Sequence, residues 1–263
     1  MHIPAITTRI TGFIERSSEA GIVSDDGIAH VGWIIEEGEI IEKLITSFMD
    51  VESLYIADGH HRTASAVKVG LKRREANPNY NGEEEFNYFL AVLFPSNELH
   101  IMDYNRVVMD LNGYTSEEYL KEVGKNFTIE EFKGDEPYRP RRKYEFGMYL
   151  DSKWHILNVK EELINKNDPL KRLDVSILQD YLLKPILGID DPRICNRIDF
   201  IGGIRGLGEL ERRVDEGMKV AFSMYPTSID DLIEIADKGE VMPPKSTWFE
   251  PKLRSGLFIH ELD

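Results

Sequence analysis

Short apolar runs and helical apolar stripes alternate along most of this chain. Ala29–Ile35 (AHVGWII) reads as a strand. Glu39–Phe48 follows with apolar residues at Ile40, Ile41, Leu44, Ile45 and Phe48, the spacing of an amphipathic helix. Leu54–Ala57 is a short apolar run with strand character, closed by Asp58-Gly59. A helical pattern then reaches about Asn77, and Pro78 and Gly82 mark the loop beyond it. Phe86–Phe94 (FNYFLAVLF) is the most apolar stretch and predicts a central strand ending at Pro95-Ser96-Asn97. The opening, Ile3 to Ile14, carries no clear signal.

The texture changes after Leu99. LHIMDYNRVV reads as a strand, and Thr115 with Glu118 has capping-box spacing for a helix reaching about Phe127. Beyond a polar loop at 133–143, strands Tyr144–Leu150 and Trp154–Val159 flank Asp151-Ser152-Lys153 as a hairpin. Leu170–Leu187 predicts an amphipathic helix stopped by Gly188, or earlier by Pro185. A strand at Arg197–Ile201, a helix at Gly208–Glu216, a strand at Lys219–Met224 and a helix at Ser228–Lys238 complete the pattern. The chain closes with PPKSTWFEPKLRSGLFI. Both halves mix helix and strand, so the fold class is α+β (mixed α/β). The seam near 95–106 divides it into parts 1–98 and 99–263.

Composition narrows the function classes. The 263 residues are 41% hydrophobic, enough for a core, and carry a net charge of −15. Nonspecific nucleic-acid binding relies on basic surface and is not expected. A single cysteine, Cys195, excludes an intrachain disulfide and a multi-cysteine zinc site. No apolar run approaches the roughly 18 residues of a membrane span, and no basic-then-apolar leader opens the chain. The expectation is a cytoplasmic protein acting on a small molecule, with no membrane partner.

The densest chemistry lies in LYIADGHHRTASAV (54–67). Asp58, Gly59, His60, His61 and Arg62 stand in consecutive positions between an apolar run and a helix. A turn into a helix aims free backbone N–H groups and the positive end of the helix dipole at whatever binds there. Gly59 supplies the backbone freedom, and Arg62 a planar fork for phosphate or carboxylate oxygens. A purely structural alternative makes Asp58 an N-cap, Gly59 a turn and the rest a polar first turn. Two histidines and an arginine in a row add little to stability, which favours an anion site with phosphate as the first ligand.

Other segments weigh less. Adjacent histidines in a helix point about a quarter-turn or more apart, so His60 and His61 make a poor zinc pair, and phosphate contact by one of them is favoured. IGGIRGLGE (201–209) lacks the GK[ST] ending of a P-loop and the spacing of a dinucleotide fingerprint. Its glycines read as a turn, with Arg205 a weaker anion candidate. Trp33 and Trp154 read as core, and Cys195 has no partner that would make it a nucleophile.

YIADGHHR (55–62), NYFLAVLF (87–94), IMDYNRVV (101–108), RLDVSILQDYLLKPILGI (172–189), KVAFSMYPTSIDDL (219–232) and MPPKSTWFEPKLRSGLF (242–258) together resemble the domain of unknown function 1015 family. The likeness runs from about His30 to the C-terminus. Family members are longer at the N-terminus, and the opening MHIPAITTRITGF aligns with nothing in them, so an essential acidic residue could be missing. The DGHHR turn also resembles the G-x-x-R phosphate turn of the ParB/sulfiredoxin-like superfamily, which includes free serine kinases.

That resemblance implies a ParB/sulfiredoxin-like N-terminal part with nucleotide phosphates held at Gly59, His60, His61 and Arg62. Asp58 would be a metal or acid–base group, with His60 and His61 beside it as catalytic candidates. Lys245, Lys252 and Arg254, which alone read equally well as a solvated loop, become a basic active-site lip. The implied activity is nucleotide-dependent phosphotransfer to a small hydroxyl-bearing metabolite, free L-serine being one acceptor. ATP, ADP or pyrophosphate would be the donor, with Mg2+. A noncatalytic nucleotide-binding switch and a nucleotide hydrolase are the alternatives, since fold membership does not fix chemistry.

Overall fold

Asp151 and Ser152 both take left-handed backbone angles (φ 48° and 60°) and close a two-residue hairpin between Glu145–Leu150 (β6) and Lys153–Val159 (β7). Such turns match the right-handed twist of the strands they join. This hairpin lies within a six-stranded, wholly antiparallel sheet whose other members are β4 (Tyr104–Val108), β5 (Phe127–Glu131), β8 (Ile198–Gly202) and β9 (Val220–Ser223). The strand order is β5-β7-β6-β9-β4-β8. The computed structural model describes residues 19–25 and 27–262.

Strand alternation sends Val108, Phe146, Met148, Val220 and Phe222 to one face of the sheet. There they form a core with Tyr119 and Val123 of α3 (Ser116–Asn126) and with residues 173–189. Val107, Tyr149, Ala221 and Ile201 face the opposite side and pack with Leu207 and Leu210 at the start of α5 (Gly208–Asp215). Helix α3 opens with the expected reciprocal cap. The Thr115 hydroxyl accepts the Glu118 N–H, and the Glu118 carboxylate accepts the Thr115 N–H at 2.9 Å. The last helix, α6 (Ile229–Asp237), carries the same device at Ser228 and Asp231. Caps of this kind each contribute about 1 kcal/mol.

Two compact units divide the chain: His100–Lys252, which holds this sheet, and Met1–Leu99 together with Leu253–Asp263. In the smaller unit, β1 (Glu19–Val23) and β2 (Ala29–Trp33) form an antiparallel hairpin, followed by α1 (Gly38–Met49) and α2 (His60–Ala76). The fold is thus mixed α/β. The uninformative opening, Ile3 to Ile14, lies outside the described residues.

Four expectations need correction. Leu54–Ala57 and Phe86–Phe94 are not strands; the first is irregular, and the second holds a 3-10 turn at Glu85–Asn87 before running without regular structure. Among the described residues no strand pairs with either, and Leu54, Ile56, Phe89 and Leu90 are exposed. An apolar run marks residues suited to burial, but a strand exists only where a neighbour completes its hydrogen bonds. LHIMDYNRVV divides into β3 (His100–Met102), which pairs with β10 (Trp248–Glu250) of the tail, and β4, which enters the large sheet. The helix predicted at Leu170–Leu187 is shorter: α4 (Asp174–Leu178) passes into a wider π turn at Gln179–Leu183, before Pro185. Lys184 keeps helical angles, and Pro185 after it has no N–H with which to continue the ladder.

Candidate functional site

Helix α2 begins at His60 because Gly59 takes the left-handed conformation (φ 82°, ψ 26°) that turns the chain into the helix axis. The first helical bond runs from the Thr63 N–H to the Gly59 carbonyl at 2.9 Å. Among the described residues no side chain caps this end. Among the described residues, the N–H groups of His60, His61 and Arg62 meet no acceptor, as helix geometry requires unless a cap or a ligand supplies one. The Arg62 guanidinium folds back across the turn. A Cβ placed on Gly59 would lie 3.3 Å from its Nη2 and 3.4 Å from its Nε.

Gly59 is half-buried, whereas Asp58, His60, His61 and Arg62 are exposed. Open amides, a helix dipole and a guanidinium therefore converge on one solvent-facing turn, with a carboxylate one residue away. That arrangement can hold a phosphate or a carboxylate.

The remainder of α2 is fixed by its packing. Gly70 is buried because the Phe86 carbonyl passes where its Cβ would be, 2.7 Å away. Arg74 donates to the Asn87 Oδ1 at 2.7 Å and lies over the Tyr80 ring, and Arg73 donates to the Leu262 carbonyl at 2.9 Å. These contacts hold the C-terminal half of the helix.

The tail cations fall into different units. Lys245 and Lys252 belong to His100–Lys252, and Arg254 to the smaller unit. The Lys245 Nζ lies 5.6 Å from the centre of the Tyr104 ring, and the Lys252 Nζ 5.2 Å from that of Trp248. IGGIRGLGE makes the expected turn between β8 and α5, with a 3-10 segment at Gly203–Arg205. Trp154 is buried against Tyr149, whereas Trp33, expected in a core, is 40% exposed.

Sequence reasoning passed over the polar side chains of β4 and the residue before it. Asp103, 2% exposed, accepts from the Asn105 Nδ2 at 2.5 Å and from the Arg139 Nη1 at 3.0 Å. Arg106, 3% exposed, donates to the carbonyls of Tyr104 and Lys245. The available signal was DYNR itself, four polar or amphipathic residues interrupting an otherwise apolar strand.

A family model described as "Protein of unknown function (DUF1015)" matches residues 4–176. The chain belongs to this family. The match starts well before His30, where the resemblance was first legible, and it ends before the motifs at 219–232 and 242–258. No curated protein matches the chain.

Among solved structures, a free serine kinase in complex with AMP is similar at 16% identity and a TM-score of 0.40, over 82% of this chain and 81% of the other. A variant free serine kinase in complex with ADP is similar at 14% identity and 0.41, over 94% and 82%. A conserved hypothetical protein from Pyrococcus furiosus is similar at 15% and 0.39, over 74% and 68%. At such identities and scores these likenesses assign no function to this chain.

Proposed function

We propose that this chain binds a nucleotide by its phosphates at the 58–62 turn and transfers a phosphoryl group to a small hydroxyl-bearing metabolite. The observation that carries the reading is the uncapped start of α2, where the Arg62 guanidinium lies across Gly59 beside three amides without acceptors. Phosphoryl transfer asks mainly for positioning and neutralised charge, and both are elements of this turn. The donor is ATP, ADP or pyrophosphate. Free L-serine is the acceptor to test first, on the resemblance of the DGHHR turn.

In the reaction, the acceptor oxygen forms a bond to the transferred phosphorus, and the bond from that phosphorus to the leaving phosphate oxygen breaks. The hydroxyl proton passes to a base. Asp58 is the first candidate, and His60 or His61 the second; adjacent helical side chains diverge, so one histidine at most faces a given ligand atom.

Mg2+ bound to nucleotide phosphates needs only one or two protein carboxylates, and Asp58 beside the turn suits that role. Among the described residues no group of three or more His, Cys, Asp or Glu forms a metal cage. The ion would neutralise charge on the phosphates. If Asp58 holds it, the base is a histidine.

The test is incubation of the chain with ATP, ADP or pyrophosphate and Mg2+, with L-serine and other hydroxyl-bearing amino acids as acceptors, followed by phosphorus NMR. A phosphomonoester formed only when an acceptor is present supports phosphotransfer. Release of free phosphate at the same rate without an acceptor identifies a hydrolase. Bound nucleotide with no turnover identifies a binding module.

A further inference from the structure

Buried charges are ordinarily paired, and Arg106 is not. Its guanidinium donates to two carbonyl oxygens, those of Tyr104 and, at 3.0 Å, Lys245, and lies 5.5 Å from the centre of the Phe200 ring. Among the described residues no carboxylate makes an ion pair with it. Burial brings its pKa down to about 10, so it stays charged near neutral pH.

The second observation is backbone strain. Lys245 is in the left-handed region (φ 59°), which is costly for a side chain with a Cβ. Several bonds around the turn keep it there. Arg106 takes its carbonyl, the Thr227 hydroxyl donates to the Ser246 carbonyl at 3.0 Å, and the Ser246 hydroxyl donates to the Pro243 carbonyl at 2.6 Å.

The third observation is what this turn presents. The exposed Lys245 makes no ion pair among the described residues. Its ammonium lies over the half-buried ring of Tyr104, which is 5.4 Å from the ring of Trp248. Trp248 rests against Gly202, where a Cβ would come within 2.4 Å of the indole. Its Nε1 donates to Glu250 at 2.7 Å, and Glu250 also accepts the Lys252 N–H, at 3.0 Å. Two lysines and two half-buried rings therefore share one surface of the larger unit. A tail anchor would need the rings alone. It would not need a lysine at a left-handed position that glycine fills at lower cost.

We propose that Tyr104, Trp248, Lys245 and Lys252 form a binding site for a nucleoside phosphate, with the base on the rings and the phosphate at Lys245. Stacking on aromatic faces beside cations is the general way in which bases with attached phosphates are held. The site lies wholly within His100–Lys252 and stands independently of the 58–62 turn.

The whole chain labelled with fluorotryptophan gives one fluorine resonance each for Trp33, Trp154 and Trp248, assigned through Trp248→Phe. ADP is expected to shift the Trp248 resonance in wild type and in Arg62→Ala alike, and pyrophosphate to shift it less. Lys245→Met should weaken the response about tenfold, the loss of one charge-assisted contact, and Lys245→Arg should restore it to within about twofold. Lys245 is exposed, so thermal melts of its variants should match wild type. A Trp248 resonance unmoved by ADP would overturn the proposal. So would an equal response in Lys245→Met, or a pyrophosphate effect equal to that of ADP. Loss of the response in Arg62→Ala would overturn its independence from the turn.

Discussion

The guanidinium of Arg62 lies against Gly59, close enough that a methyl group on the glycine would meet Nη2 at 3.3 Å. Gly59 is also left-handed, so alanine there is strained even apart from the arginine. Gly59→Ala should destabilise the start of α2 by roughly 1 kcal/mol and displace Arg62 from the turn. Amide hydrogen exchange at 60–64 should accelerate, and ADP affinity should fall. Unchanged exchange and affinity would mean that the glycine serves no purpose there.

Asp58→Asn separates binding from chemistry. The amide keeps the shape of the side chain and loses the charge that a metal ligand or base requires. Nucleotide affinity should be nearly retained, with most turnover lost, as read by calorimetry beside phosphorus NMR. Turnover equal to wild type would remove Asp58 from the reaction.

Asp174 gives the fold a pH dependence. Burial pushes its carboxyl up to about 7. The Tyr144 N–H and Lys143 pull it down, and Asp231 pushes it further up. Its Oδ1 accepts the Tyr144 N–H at 2.9 Å, while Oδ2 has no hydrogen-bond partner among the described residues. The native state therefore holds this proton more tightly than the unfolded chain, where aspartate titrates near 3.9. The contribution to stability is present below about pH 4 and is lost as the pH rises toward 7. Asp174→Asn keeps an oxygen for the Tyr144 N–H and removes the titration. It should raise the Tm near pH 8 and change it little near pH 4. An equal change at both values would contradict this assignment.

Local signals were legible wherever they were self-contained. Thr115 and Glu118 cap a helix with each other, Asp151-Ser152 closes its own hairpin, and Gly59 sets the start of α2. Leu54–Ala57 and Phe86–Phe94 misled because a strand is defined by its neighbour, and an apolar run does not say whether one is present. LHIMDYNRVV misled in another way: Ile101 pairs with Phe249, whereas Asn105 pairs with Ile201, and no periodicity announces that change of partner. The candidate turn could be read from consecutive residues. Arg106 and Lys245 could not, because they meet across 139 positions of sequence.

The most direct test of the central claim is an ADP titration followed through the backbone amide resonances of the whole chain, repeated with Arg62→Ala. Gly59, His60, His61 and Arg62 should shift in a saturable way. Arg62→Ala should weaken this response about tenfold while leaving the Tm nearly unchanged, since an exposed first-turn arginine contributes little to folding. Amides at 59–62 that stay still while ADP binds elsewhere would contradict it, as would an Arg62→Ala variant that melts early and retains full affinity.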